Sequence, residues 1–397
     1  MILMDKVYEI DKECCGCGIC MAACSKHAIS MKCDEKGFVY PTINHDICIE
    51  CGACKRACVF SKRSRKNDKS SILKCYAACN KDQRELNKST SGGVFSAVAH
   101  SFLDQGGNVV GAYMGIADGK VDAYHIIIDT IESLPILQGS KYVQSNLWEC
   151  LDPMDTLLKA GKKILFSGTP CQVDAIKNKF KKYLETQLFT IDVVCHGVPN
   201  KILLEAFIAE YQKKNNIELK KIVFRDKENG WGHKGSIITN DNKNITFTRE
   251  EFSFYSYFVA GEISRDSCYF CPYACQERVG DITIGDYWGI KKYDPQLLVE
   301  NGGGFEFEKG VSCLIVNSEH GEELLEKFGS MVQKVPIEVQ HVVEINKQLR
   351  EPSKYTELRE KIFSLYKNKG YSAVEKLFRK QKNYRNIKNM IKLLVKR

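Results

Sequence analysis

The sequence predicts a chain of two folded parts, α+β and α/β in class. A small cysteine-rich module precedes a larger mixed α/β core, and a helical basic region closes the chain. Three observations predict this. Ten of the 19 cysteines fall within residues 14–58. Beyond residue 72, short apolar runs of strand length alternate with helix-length amphipathic segments. The last 22 residues hold nine Lys or Arg and no Asp or Glu. A chain of 397 residues is also too long for one small domain. The boundaries expected are 1–62 for the module, 63–72 for a linker, 73–340 for the core and 341–397 for the C-terminal region.

Composition narrows the class. At 44% hydrophobic and 27% charged, the chain supports a buried core and is not globally disordered. No run of 18 apolar residues is present, so no membrane-spanning helix is expected. The first twelve residues are charged and lack an apolar centre. A secretion signal is therefore not expected, and a cytoplasmic setting is. In that setting so many cysteines point to metal chemistry rather than to disulfides.

The module carries two blocks of identical spacing. The first is Cys14-x2-Cys17-x2-Cys20-x3-Cys24; the second is Cys48-x2-Cys51-x2-Cys54-x3-Cys58. Three cysteines two residues apart wrap one face of a cubane cluster, and Gly16, Gly18 and Gly52 permit the turns this needs. The fourth cysteine is carried off by a helix and ligates the other cluster. One [4Fe-4S] cluster is thus assigned to Cys14, Cys17, Cys20 and Cys58, and the other to Cys48, Cys51, Cys54 and Cys24. Zinc sites use paired CxxC units rather than a four-cysteine run repeated once. Ser25 and Val59 stand where a proline commonly follows the fourth cysteine. Cys15 and Cys33 are set aside as bystanders. Residues 8–62 resemble the two-cluster bacterial-type ferredoxins, which move single electrons. More than 330 residues follow, so the electrons have a destination within the chain.

Residues 61–71 are polar, basic and Ser-rich, which marks the linker. In the core, strands are expected at 74–78, 109–114, 121–128, 163–166, 188–194, 221–224, 236–239, 281–284 and 311–316. Helices are expected at 91–104, 147–159, from about 172, from about 201, at 322–328 and over much of 354–397. Cys171 and Cys195 close two of the buried strands, and Cys268 and Cys271 form a CxxC with Cys275 four residues on. Ends of adjacent parallel strands lie together, where open α/β sheets build their sites. Four thiolates there suffice for a third [4Fe-4S] cluster. Equally open are core packing for the strand-end cysteines and a redox pair or half a zinc site for the CxxC. Cys275 could replace one of the four. Cys75, Cys79, Cys150 and Cys313 read as core residues.

Ser91-Gly92-Gly93 opens an apolar helix, and its backbone N–H groups could cradle a phosphate, although such residues also cap helices. Ser140-Lys141 adds a turn with a cation, and the turn at Thr169 adds a third tight loop. No P-loop and no dinucleotide fingerprint follows a strand, so ATP hydrolysis and NAD binding lack support. Clusters carry one electron and most organic substrates need two; a flavin can do both. Residues 281–289, DITIGDYWG, could line its pocket, or be strand and turn. In the C-terminal region Leu377, Tyr384, Ile387, Ile391 and Leu394 recur at helical spacing beside the basic residues. That helix could meet an acidic protein or an anionic membrane surface, or be a solvated terminal helix. No nucleic-acid recognition motif accompanies the charge.

The order SGG, GSKYVQS, SGTPCQ, VCHG, CYFCPY and GDITIGDYWG, behind a two-cluster module, resembles the family of coenzyme F420 hydrogenase/dehydrogenase beta subunits. The resemblance covers roughly residues 10–340. It implies an FAD-binding α/β core beside a [4Fe-4S] cluster. Ser91, Gly92, Gly93, Ser140, Lys141 and Thr169 match the flavin-contacting loops; Cys171, Cys195, Cys268 and Cys271 match the cluster ligands. The family includes deazaflavin-reducing members and a plant chlorophyll-derivative reductase. Members with a fused ferredoxin module are associated with bacterial polysaccharide-synthesis loci. No nickel–iron ligand set is evident, so hydrogenase activity is not expected. The expectation is an iron–sulfur flavoprotein oxidoreductase fed by a redox partner such as ferredoxin and reducing an organic acceptor. His196, Asp286 and Tyr287 are the candidate proton donors. Two rivals are an electron-transfer subunit serving a partner enzyme and a flavin-free iron–sulfur redox sensor.

Overall fold

The computed structural model describes residues 13–61 and 72–395. Most of the linker expected at 63–72 lies outside the described residues. Thirteen strands are described. Strands β1 (Ile29–Cys33) and β2 (Val39–Ile43) pair antiparallel in the N-terminal module. The core follows with β3 (Lys74–Asn80), β4 (Asn108–Ala117), β5 (Lys120–Ile128), β6 (Ile164–Gly168) and β7 (Leu188–Val193). Then come β8 (Leu219–Val223), β9 (Lys234–Thr239), β10 (Asn244–Thr248), β11 (Ile282–Asp286), β12 (Ser312–Val316) and β13 (Val332–Pro336).

Eight of them form one mixed sheet in the order β13-β3-β12-β11-β7-β6-β4-β5. Its centre, β11-β7-β6-β4, is parallel; the flanks are antiparallel. Central parallel strands are covered on both faces and therefore read as continuous apolar runs. Side chains still alternate. On β6, Ile164 and Phe166 meet the helices Trp148–Lys159 and Pro170–Lys179, while Leu165 meets the opposite layer with Val94–Asp104 and Glu319–Phe328. The helix Pro170–Lys179 is the crossover joining parallel β6 to β7. A separate antiparallel sheet, β10-β9-β8, packs with helices Lys201–Asn215, Ser253–Val259, Glu357–Lys369 and Tyr371–Val395 around an aromatic-rich core.

The differences from expectation have local causes. The helix expected at 91 begins at Val94, because Gly93 sits at φ +73° and holds the preceding residues in a loop. β10 (NITFT) and β13 (VQKVP) are short edge strands whose polar character hides them in the sequence. The C-terminal helix breaks at Gly370, φ +71°. Its buried face is Tyr371, Val374 and Phe378, with Leu377 only half-buried. Tyr384 and Ile387 are 67% and 53% exposed, and the side chains of Ile391 and Leu394 lie outside the description. Among the described residues, no helix is long and apolar enough to cross a membrane.

Candidate functional site

The two cysteine blocks fold onto each other. Gly16, Gly18 and Gly52 all adopt positive φ (69°, 78° and 70°), which turns the loops between the cysteines. Cys20 and Cys54 sit in short helices, Ile19–Ala22 and Ala53–Ala57, and Cys58 ends the second of them. Each block has the fourth cysteine of the other block among its thiol neighbours. Cys14 and Cys20 face Cys17 and, from the other block, Cys58. Cys24, Cys48, Cys51 and Cys54 line one small cavity near the surface. Cys33 is exposed.

The core brings a further set together. Cys171 lies in the first turn of helix Pro170–Lys179, directly after β6, and Cys195 follows β7 by two residues. Cys268 and Cys271 lie on the segment Asp266–Phe270 and its end. All four line one cavity of about 50 Å³. Cys15, set aside in the sequence, lines it too and reaches both Cys17 and Cys171. Burial and the neighbouring thiols push Cys195 far up, Cys268 up to about 11 and Cys271 up to about 12. A hydrogen bond from Cys15 is the main cause holding Cys171 down to about 7. Thiols raised in this way, as Cys195, Cys268 and Cys271 are, give up their protons readily when a cation gathers them. Among the described residues no group of three or more His, Cys, Asp or Glu is placed to hold a single metal ion. One tetrahedral ion would need its thiolates about 4 Å apart. Cys275 lines another cavity; its thiol points to the carbonyls of Pro272 and Glu277, at 3.3 Å each.

Next to this cavity lies a larger one of about 330 Å³, at the carboxyl ends of the parallel strands. Ser91 and Gly93, Ser140 and Lys141, and Thr169 line it, so three loops distant in sequence converge. Gly92 does not line it: a Cβ there would stand 2.2 Å from the Ala78 carbonyl, so it lets the loop lie against β3. The first turn of helix Val94–Asp104, with N–H groups that lack helical acceptors, borders the space. Lys141 also borders it. Its Nζ donates to the Leu137 and Gln138 carbonyls, at 2.6 and 2.7 Å, and meets no carboxylate among the described residues. Burial first, then Lys221, holds it down to about 7. A desolvated cation on a cavity wall suits an anionic ligand group.

Thr169, Gln172, Cys195, His196, Gly197 and Val198 belong to the walls of both cavities. Gln172 accepts from the Thr169 N–H at 3.0 Å, and Thr169 Oγ1 lies 3.2 Å from Cys171 Sγ. His196 is therefore well placed, and burial favours its neutral imidazole. Asp286 lines the larger cavity as an ion rather than an acid. Its two oxygens accept from Arg225 at 2.9 and 3.2 Å, and burial, which alone would raise its pKa, is outweighed by that guanidinium. It suits positioning, not proton donation. Tyr287 requires a correction: strand alternation turns it to the opposite face, fully buried, where it donates to Asp294. It does not line the cavity.

Trp288, within the stretch 281–289 expected to line a pocket, does so, and Arg225 and His233, not singled out in the sequence, line the same space. Trp288 stacks on Trp231 at 4.3 Å, and Arg225 lies over Trp288 at 5.0 Å. Burial lowers His233 to about 4. His233 lies in the Gly- and Trp-rich run NGWGHKG, and no motif marks Arg225.

Comparison with known proteins bears on the core. Residues 161–344 match the family model that describes the C terminus of the coenzyme F420 hydrogenase/dehydrogenase beta subunit. The chain is 23% identical over 239 residues to the F subunit of the F(420)H(2) dehydrogenase of Methanosarcina mazei. That alignment covers 55% of this chain and 64% of the relative's length. A chain of the F420-reducing [NiFe] hydrogenase complex from Methanosarcina barkeri, solved as a xenon derivative, is 16% identical with a TM-score of 0.47. It covers 74% of this chain and 92% of that one.

Proposed function

We propose that this chain, which belongs through residues 161–344 to the family of coenzyme F420 hydrogenase/dehydrogenase beta subunits, is an iron–sulfur flavoprotein oxidoreductase. In this reading it takes electrons from a redox partner such as ferredoxin and reduces an organic acceptor. One observation carries the reading: the four-cysteine cavity and the 330 Å³ cavity share a wall. When bound, [4Fe-4S] clusters supply one-electron transfer and FAD couples it to two-electron chemistry.

Three cysteine sets would hold the clusters: Cys48, Cys51, Cys54 and Cys24 near the surface; Cys14, Cys17, Cys20 and Cys58 inward; Cys171, Cys195, Cys268 and Cys271 in the core. Ser91, Gly93, Ser140, Lys141 and Thr169 would hold FAD, with Lys141 against its diphosphate. The chain's own residues do the rest. Arg225 keeps Asp286 ionised and in place. Trp288 and Phe258 give the cavity aromatic walls. His196, on the shared wall, is the proton-transfer candidate this geometry supports best; burial favours its neutral imidazole, so it donates only after taking up a proton.

The test is anaerobic purification with iron, acid-labile sulfide and released flavin measured per chain. About twelve irons and one FAD are expected for three clusters and one flavin. About eight irons and no flavin, after reconstitution with FAD, would overturn the reading. A second reading has support in the name of the Methanosarcina mazei relative, which is one component of a larger dehydrogenase. In it the chain is an electron-transfer subunit whose flavin reduces artificial acceptors but yields no organic product. An acceptor screen separates the two, and F420 belongs in it because that relative carries the name.

A further inference from the structure

Arg265 lies three residues before Cys268 and is 0% exposed. It meets no carboxylate among the described residues; its neighbour Asp266 is taken by Arg359 at 2.7 Å. Burying a guanidinium without a counter-ion is strongly unfavourable. Its hydrogen bonds go to neutral acceptors: Nε to the Cys14 carbonyl at 2.6 Å, one terminal nitrogen to Gln144 Oε1 at 3.0 Å, the other to the Val39 carbonyl at 2.7 Å. Tyr40 stacks on it at 4.0 Å. These bonds fix its position and leave its charge uncompensated.

The same guanidinium stands 4.0 Å from Cys14 Sγ and also lines the core cysteine cavity. The packing is tight enough to exclude a side chain at Gly16. A Cβ there would stand 3.0 Å from Arg265, 2.6 Å from Gln144 and 2.8 Å from the Val39 carbonyl, at φ +69°. Four cysteines on either side are the groups that become anionic when they hold a cluster.

We propose that Arg265 is a shared counter-ion, set between the inner cluster of the N-terminal module and the core cluster, that raises the reduction potential of both. This rests on the cluster assignment above. A fixed positive charge favours the more negative, reduced form of each neighbour, and does so strongly where water is excluded. The surface set of Cys24, Cys48, Cys51 and Cys54 is not among its neighbours. Arg265 is thus a tuning residue that shifts two neighbouring centres in the same direction.

The experiment is an EPR-monitored redox titration of the reconstituted full chain, wild type against Arg265→Gln and Arg265→Lys. The surface cluster's signal is assigned by its loss in Cys51→Ala. In R265Q the inner and core clusters should titrate lower, so that at the wild-type midpoint their reduced-to-oxidised ratio falls about tenfold, ~59 mV for one electron. R265K should restore most of that shift, and the surface cluster should not move. If R265Q does not accumulate folded, Gln144→Glu sets a carboxylate on the guanidinium in place and should lower the same two midpoints. Unmoved midpoints with full iron content, or an equal shift of all three clusters, would overturn the proposal. A wild-type chain that holds no iron would instead remove the reading on which it rests.

Discussion

Asp192→Asn is the sharpest test of how the core holds its cysteines. Asp192 is in β7, three residues before Cys195, and its Oδ1 accepts from Arg278 at 2.8 Å. The pair is almost fully buried, 0% and 1% exposed. Oδ2 accepts from the Gly280 and Val279 N–H groups at 2.8 and 3.3 Å. Arg278 in turn donates to the carbonyls of Tyr273 and Cys275, at 2.7 and 3.4 Å, tying the segment behind Cys271 to the end of β7. Asparagine keeps the shape, but its NH2 group must face either the guanidinium or the two backbone donors. Removing one partner of a buried pair costs about 3–5 kcal/mol. At about 2–4 °C per kcal/mol for a large domain, the melting temperature should fall roughly 6–20 °C. Iron should fall from about twelve to about eight as the CxxC segment loosens while the N-terminal module keeps its share. The double variant Asp192→Leu, Arg278→Met should regain only part of the melting temperature: an apolar replacement of the pair itself is close to neutral, but the Gly280 and Val279 N–H groups lose their acceptor. It should not regain the iron, because the bonds to Tyr273 and Cys275 are gone. Melting within about 2 °C of wild type with full iron in D192N would refute the reasoning.

Four further outcomes are expected. Cys15→Ala should keep about twelve irons whereas Cys171→Ala should lose about four; iron analysis that finds the same loss in both would make Cys15 a ligand. On the proposed reading, FAD affinity should weaken by up to about tenfold per pH unit above pH 7, because Lys141, held down to about 7 by burial, must take up a proton to meet the diphosphate. Lys141→Met should flatten that profile in a fluorescence titration. Tyr287→Phe should cost about 1.5–3 kcal/mol in thermal unfolding, through its lost bond to Asp294, and leave acceptor turnover unchanged, whereas His196→Gln should lower turnover. Deleting 376–397 removes buried Phe378 and should destabilise by about 3–5 kcal/mol, while deleting 383–397 should not; equal liposome pelleting of wild type and the shorter deletion would exclude membrane recruitment by the exposed stretch.

How much could be read in the chain depended on the range of the signal. The paired cysteine blocks were legible because spacing of two and three residues is local and φ-positive glycines mark the turns. The strand-end cysteines were legible for a different reason. Cys171 and Cys195 each follow an apolar run of the length of a buried strand, and such ends converge by topology. The three loops at Ser91, Ser140 and Thr169 were likewise visible as turns, and folding brings them to one cavity. Arg265 and Cys15 were not legible. Both depend on the docking of the N-terminal module against the core: Arg265 reaches Cys14, 251 residues away, and Cys15 reaches Cys171. Tyr287 failed for the opposite reason. It lies in a promising motif, but a side-chain period of two decides which neighbour of the pair sees the cavity, and Asp286 does. Arg225 and His233 come from a loop beyond β8, outside the large sheet, so no periodicity in that sheet points to them.

The order of the central strands also explains why the two cavities must touch. β6 and β7 are adjacent and parallel, with Gly168 opposite Asp192 in the register. Whatever follows one strand end therefore lies beside whatever follows the other. The turns continue as Thr169-Pro170-Cys171 and Val194-Cys195-His196, so each contributes one thiol to the cysteine cavity and one polar side chain to the larger one. β11 pairs parallel with β7 on the far side and brings Asp286 to the same row. The CxxC is the only part of the core cysteine set that no strand end supplies. It is also the part held by two buried arginines: Arg278 pulls it onto β7 and Arg265 pulls it onto the N-terminal module. Sheet topology thus fixes two of the four thiols. The other two depend on these buried charges, and variants of Arg265 and Arg278 should therefore perturb the core centre as well as the stability of the fold.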